Sequence, residues 1–291
     1  MRINSCIKFV LVMTIFRPNY VQSDDQYIIV EKQGVIHKFV SFDKETDHFV
    51  KNVFQDWECC TFELFDEVKN KEGIAVDIGG WIGTTAIWLS NNFHHVVVVE
   101  PDRKSLQCLR MNLHASGCTN VSICEQAVAG TEQLVIFGPR GPSLNESISY
   151  IKDKVNNEND YAVRTITVKQ LLNDYVYDNE ALNSRNISFI KCDIEGGEED
   201  ILEDILLFAY NNNCLVLMSF HLDWWKSKKI ADFDNLFNRF RVSCPMASVS
   251  ECVTQYPFAS ILFGPRRARV LEGFEVACIK SWSLRDVRTG V

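Results

Sequence analysis

Four ionisable residues stand at or beside the ends of apolar runs: Asp77 after Ile74-Ala75-Val76, Glu100 after Val96–Val99, Asp193 after Ile187–Cys192, and His221 after Leu215–Phe220. Glycines follow the first of them, at Gly79, Gly80 and Gly83. Residues without a Cβ let the backbone approach a ligand where any other side chain would clash. Glu100 comes about 20 residues after Gly79, the spacing at which an acid takes both hydroxyls of a ribose. The combination describes a nucleoside-cofactor site. Asp77 indicates which kind. A dinucleotide needs exposed amides and a helix N-terminus facing its anionic pyrophosphate, and a carboxylate there repels it. A donor carrying a sulfonium and an ammonium group, S-adenosylmethionine, suits that acid.

The elements that must position these residues alternate strand and helix, the pattern of a parallel sheet. The expected order is a strand at 74–78, a helix at 83–90, a strand at 96–100, a helix capped by Asp102 and running to about Ala115, and a strand at 121–126. Then come a hairpin arm at 134–137, a long polar loop at 138–160, a segment at 164–168 leading into a helix through Tyr175, a strand at 187–193, a helix at 198–210 and a strand at 214–221. A helix near 233–240 and two closing strands are expected in the tail. Unbroken apolar strands such as 96–99 indicate a sheet covered on both faces. In open sheets of this kind ligands bind beyond the carboxyl ends of the strands. Reading off those ends gives Asp77, Glu100, Gln126, Asp193, Glu195 and His221 as the candidate site.

The block Lys191-Cys-Asp-Ile-Glu-Gly-Gly-Glu198 is the second informative stretch. Asp193 and Glu195 alternate, so their side chains diverge and one can face a cleft while the other braces the turn. Glu198, Glu199 and Asp200 favour the positive end of the following helix. His221 has an ordinary pKa near neutrality and is the candidate proton acceptor, with Asp193 acting directly or orienting it. Trp224 and Trp225 are candidates for an apolar or sugar-stacking wall, or for ordinary core. A metal held by Asp193, Glu195 and His221 would orient a diol, but nothing in the spacing demands one and none is expected.

The 291 residues are 46% apolar with a formal charge of −8. A phosphate backbone demands a basic face, so nucleic acid is not an expected partner. Phe9–Phe16 is too short to span a bilayer, and with Arg2, Lys8 and the Val21-Gln22-Ser23 site it reads as a secretory signal peptide over residues 1–23. That places the chain in the secretory pathway or outside the cell, with the cytoplasm as the alternative. Residues 24–70 form a β-rich lead-in closed by a helix from Trp57 to Val68. Cys108, Cys192 and Cys214 fall on core faces, whereas Cys59, Cys60, Cys244 and Cys252 are the disulfide candidates.

The blocks Val76–Gly83, Val99-Glu-Pro101, Asn112-Leu113, Ala127 and Ile190–Glu198 together resemble the FkbM-type methyltransferase family in order and spacing, over roughly residues 70–222. The resemblance implies a Rossmann-like class I methyltransferase over residues 71–291, with a mostly parallel seven-stranded sheet and helices on both faces. It implies that Asp77, Gly79, Gly80 and Gly83 line the methionine end of S-adenosylmethionine, that Glu100 holds the ribose and that Gln126 lies near the adenine. Gly80-Trp81 departs from the family's small residue plus asparagine, so Trp81 is expected to stack on the cofactor or narrow the pocket. The acceptor is a hydroxyl of a small molecule or glycan. An NAD-dependent oxidoreductase and a non-catalytic protein keeping the fold are the rivals.

Overall fold

The computed structural model describes residues 21–23, 26–139, 149–156, 158–176, 186–221, 224, 225, 260–263 and 268–270. Its centre is a sheet in which β4 (Asn70–Ile78), β5 (Phe93–Val99), β6 (Val121–Cys124), β11 (Ile187–Cys192) and β12 (Leu215–Ser219) run parallel in the order β12-β11-β4-β5-β6. Two short strands, β13 (Ser260–Phe263) and β14 (Ala268–Val270), extend it beyond β12 in antiparallel fashion. Chain order reverses between β4 and β11, which lie side by side at the middle. The carboxyl ends of a parallel sheet open a crevice at such a reversal.

Both faces of this sheet are covered. On one face, α3 (Thr84–Asn92) and α4 (Arg103–Ala115) pack with the lead-in: β1 (Val21–Ser23), β2 (Tyr27–Lys32), β3 (Val35–Val40), α1 (Lys44–Asn52) and α2 (Cys59–Val68). Ile28, Phe39, Phe54, Phe62 and Phe65 of the lead-in share one apolar cluster with Ala75, Trp88, Val98 and Phe189. On the other face, α5 (Glu198–Asn212) and a π-helical turn, Gln170–Tyr175, bury Ile201, Ile205, Leu171 and Leu172 against Val76, Val97 and Ile190. Alternate residues of β4 and β5 serve the two faces, as the pleat requires.

A second, four-stranded sheet, β7 (Ala127–Val128), β10 (Tyr161–Ile166), β8 (Leu134–Pro139) and β9 (Ser149–Lys152), stands at the carboxyl-end side of β5 and β6. It is fastened by the Tyr161 hydroxyl, which donates to the Asp102 carboxylate and accepts the Arg103 N–H. Strand β9 lies inside the stretch expected to be an irregular loop. Within its bounds Ser149 and Ile151 alternate across β8, with Lys152 buried against Asp160.

Other boundaries moved by a few residues. β4 begins four residues early and β12 ends two residues before His221. Helix α1 had no counterpart in the sequence reading. The helix expected at 233–240, Cys244, Cys252 and residues 1–20 lie outside the described residues; the expected cleavage site is β1, paired with β2. Cys108, Cys192 and Cys214 are buried free thiols, and Cys59 is free and exposed. Among the described residues no helix is long and apolar enough to cross a membrane.

Candidate active site

A cavity of about 890 Å³ opens at the carboxyl ends of the central strands, between the glycine turn, the second sheet and α1. Its floor is the turn after β4. Gly79 has φ +90°, and a Cβ there would overlap the Asp193 carbonyl oxygen, so only glycine lets β4 and β11 close up at this point. Gly80 is excluded from any substitution by Val98, which fills the space a Cβ would need, and Gly83 turns the chain into α3 with φ +92°. Between them Trp81 takes φ +44°, a left-handed conformation rare for a bulky residue.

Glu100 holds that turn. Its Oε2 accepts the Trp81 N–H at 2.7 Å and its Oε1 accepts the Asp102 N–H at 2.8 Å. The carboxyl is buried yet lines the cavity. Burial pushes its pKa up to about 8, against the two amides that favour the ionised form. Each oxygen keeps a lone pair for a further donor. Beside it, Val99, Ala127, Val128 and Phe137 form an apolar wall.

Asp77 lies beneath the turn and does not line the cavity. Thr85 Oγ1 donates to its Oδ2 at 2.6 Å, and its Oδ1 stands 3.8 Å from the Lys191 ammonium, which is its Cα partner's side chain across the β4–β11 ladder. Burial raises the Asp77 pKa, opposed by the Lys191 charge and the Thr85 bond. Lys191 in turn lies 3.5 Å from Asp193 Oδ2. Its own burial disfavours the charge, but Asp193 and Asp77 hold it protonated above its ordinary pKa.

The opposite end of the cavity carries the second block. Asp193 follows β11, and Glu195 takes φ +58°, a second strained non-glycine residue at the cavity. His221 Nε2 stands 3.3 Å from Glu195 Oε2 and 3.6 Å from Asp193 Oδ1, and its Nδ1 lies 2.9 Å from Glu198 Oε1. Glu198 is fully buried; it also accepts the Ile194 and Gly196 N–H groups and the Trp225 indole. Burial alone would lower the His221 pKa. The Glu198 bond and the charges of Asp193, Glu198 and Glu195 outweigh it and raise the pKa to about 9. Asp193 is pulled the other way: burial would raise it, but Lys191 and His221 keep it ionised below the usual range. Trp224 stacks flat on His221, rings 5.0 Å apart and 3° from parallel.

A third wall comes from the lead-in. Phe49 on α1 packs edge to face with Trp81 (centroids 4.7 Å apart) and with Trp57 (5.7 Å), the two indoles are tilted at 6.2 Å, and all three face the cavity. Lys32 fixes this wall: its buried ammonium donates to the Phe54 carbonyl at 2.7 Å and to those of Gln55 and Trp57.

The family model described as the methyltransferase FkbM domain matches residues 75–239, more than half of the chain. The chain belongs to the FkbM methyltransferase family. Comparison with curated protein sequences finds no match. Among solved structures, this FkbM methyltransferase is similar to methyltransferase FkbM from Methylobacillus flagellatus KT, with 16% identity over 68% of this chain and 49% of that one, and a TM-score of 0.37. This chain thus spans about half of that protein. It is also similar to precorrin 8W decarboxylase from Methanobacterium thermoautotrophicum (14% identity, 63% and 70% covered, TM-score 0.35) and to TYW2 from M. jannaschii in complex with AdoMet (9% identity, 75% and 74% covered, TM-score 0.35).

Within this FkbM methyltransferase the structure brings Gly79, Glu100, Asp193, Glu195 and His221 to one cavity. Gln126 is turned toward the Thr165 carbonyl of β10, 3.5 Å away, and Ala127 and Val128 take the wall where it was expected. The two tryptophans divide: Trp224 faces the cavity, while Trp225 is buried against Phe220. Two contributors were missed. Sequence alone makes Glu198 a favourable helix-end charge, although an acid three residues after Glu195 at a glycine pair is well placed to fold back on its own turn. The aromatic wall was missed because Phe49 and Trp57 lie in the lead-in, far from either motif.

Proposed function

We propose that the chain transfers a methyl group from S-adenosylmethionine to a hydroxyl of a small molecule or glycan. The observation that carries this reading is the buried Glu100 carboxyl, held by two backbone N–H groups at the edge of the cavity and backed by apolar residues. A nucleoside fits there: Glu100 has lone pairs for two ribose hydroxyls, and Ala127, Val128 and Phe137 offer a flat apolar surface to a base. The cavity volume lies within the range of cofactor and ligand sites, about 300–1,000 Å³. TYW2, with AdoMet bound, supplies an example of such a donor in a similar solved structure.

The bound donor would supply an electrophilic methyl group to an in-line displacement. The chain's own residues position and deprotonate the acceptor. Glu100 binds the ribose and the glycine turn lets the chain approach the donor. Asp77 neutralises Lys191 rather than meeting the cofactor, so the cationic end of the donor is answered by the ionised Asp193 at the far side of the turn, with Glu195 beside it. His221, which holds its proton near neutral pH, orients Asp193, and Asp193 takes the acceptor proton. Trp224 and the Phe49–Trp57–Trp81 wall exclude water and offer ring faces to an apolar or sugar acceptor.

Isothermal titration with S-adenosylmethionine and with NAD tests the donor: the first binds and the second does not, and the reverse result overturns the proposal. Methyl release onto a panel of hydroxylated small molecules and glycans, followed with a labelled donor, tests turnover; a chain that binds donor and never turns over is a binding protein. The N-terminal reading adds a secretory location, tested by sequencing the N-terminus of the secreted chain from expressing cells; an intact Met1 in the cytosol refutes it.

A further inference from the structure

We propose that Asp193, Glu195 and His221 Nε2 form a divalent-cation site at the acceptor end of the cavity, whose open positions take two neighbouring oxygens of a diol. The three donor atoms lie within 4.8 Å of one another. Nε2 is 3.3 Å from Glu195 Oε2 and 3.6 Å from Asp193 Oδ1. Adjacent ligands on one ion at about 2.0–2.2 Å stand roughly 3–3.5 Å apart, close to both distances from Nε2, and Asp193 and Glu195, within 4.8 Å of each other, close around an ion by side-chain rotation.

The surroundings prepare the histidine as a ligand. Its Nδ1 is bonded to Glu198, a fully buried carboxylate that is itself fixed by the Ile194 and Gly196 N–H groups and the Trp225 indole. Metal-bound imidazoles are held this way: the far nitrogen gives its N–H to a carboxylate, and the ion takes the near nitrogen in place of the proton carried there when the site is empty, releasing that proton to solvent. Trp224, stacked on the ring, blocks rotation. Asp193 is divided in the same sense. Its Oδ2 faces Lys191, while its buried Oδ1 faces His221 and accepts no hydrogen bond.

Three protein ligands on one side leave the cavity side of an ion open, the arrangement of a site that binds substrate. Two carboxylates and one imidazole favour a hard to borderline ion such as Mn²⁺. With an ion bound, Asp193 would serve as its ligand rather than as the base: the ion would draw two vicinal hydroxyls to one face and acidify the one to be methylated, whose proton would pass to water. The acceptor class is thereby a vicinal diol, as on a sugar or catechol ring. This refinement rests on the methyl-transfer reading for the role of the ion, not for its binding.

The test uses the full chain stripped with a chelator and then titrated with Mn²⁺, with free ion followed by electron paramagnetic resonance. One equivalent binds, and the spin-echo signal of the bound ion carries modulation from an imidazole nitrogen. Glu195→Gln weakens Mn²⁺ binding at least tenfold, and His221→Gln removes the nitrogen modulation. No binding by the wild-type chain at millimolar Mn²⁺, or binding without nitrogen modulation, overturns the proposal whatever the variants do. S-adenosylmethionine titrated into the same samples separates the two readings. Donor binding without Mn²⁺ binding sinks the cation site alone, and Mn²⁺ binding without donor binding sinks the donor assignment alone.

Discussion

Glu100 does two jobs with one carboxylate. It fixes the strained Trp81 turn through backbone N–H groups and presents its remaining lone pairs to the cavity. A hydrogen bond between neutral groups is worth about 0.5–1.5 kcal/mol, so losing two ribose bonds in Glu100→Ala weakens S-adenosylmethionine binding by about tenfold. Calorimetric titration reads this directly, and unchanged affinity would mean the ribose lies elsewhere. His221 lies at the other end of the cavity, so His221→Ala lowers turnover while donor affinity stays within a few-fold; full activity in that variant removes it from the reaction. These two residues were legible in the sequence because each closes an apolar strand, where side chains must emerge at the crevice. Asp77 shows the limit of that logic. A strand-end acid is visible in sequence, but the cation across the ladder that answers it, Lys191, is a fact of β4–β11 register. Glu198 was hidden for the same kind of reason: its fourfold bonding depends on His221 and Trp225, which arrive from a later strand.

Among the elements, α4 and the second sheet meet at one side chain. Asp102 Oδ1 caps α4 by accepting the Lys104 and Ser105 N–H groups, while Oδ2 accepts the Tyr161 and Ser149 hydroxyls. A serine keeps the first function and loses the second. Asp102→Ala therefore costs about 1 kcal/mol or more of unfolding free energy, whereas Asp102→Ser stays close to wild type in urea unfolding. Both variants bind donor more weakly, because the sheet carrying Phe137 and Ile151 keeps only the bonds of Tyr161 to the Arg103 N–H and the Pro101 carbonyl as its ties to the rim. Equal destabilisation of the two would show that the cap is not the stabilising part. The Asp102 cap was readable in sequence, since an acid sits directly before a helical stripe. Helix α1 was not: Lys44–Asn52 has Phe49 and Val50 as its only apolar residues and no stripe, and only the Asp43 cap marks it. Packing of those two residues against the lead-in core, not periodicity, makes it helical.

At the scale of the whole molecule, the central sheet was legible because buried parallel strands are continuous apolar runs, whereas the attachment of the lead-in to one face is carried by aromatic packing that has no period. The cavity left between these layers holds an acid that folding pays to desolvate, and this has a measurable signature. Glu100 titrates near 8 in the fold against an ordinary value of 4.5. Between those values the folded chain holds a proton that the unfolded chain has released. The contribution is fully present below pH 4.5 and is lost as pH rises through 8, with a slope of about 1.4 kcal/mol per pH unit at its steepest. His37 acts in the opposite direction over a lower range: burial lowers it to about 4, so its contribution is present above 6.5 and is lost as pH falls through 4. The two oppose each other between 4.5 and 6.5, and Glu100 acts unopposed by His37 from 6.5 to 8. Urea unfolding of the wild-type chain and of Glu100→Gln isolates the effect, since every other group is common to both. The wild-type chain loses stability relative to Glu100→Gln as pH rises from 6.5 to 8. Parallel curves for the two proteins over that range would mean that the carboxyl is solvated and that the cavity is open to water at the ribose position.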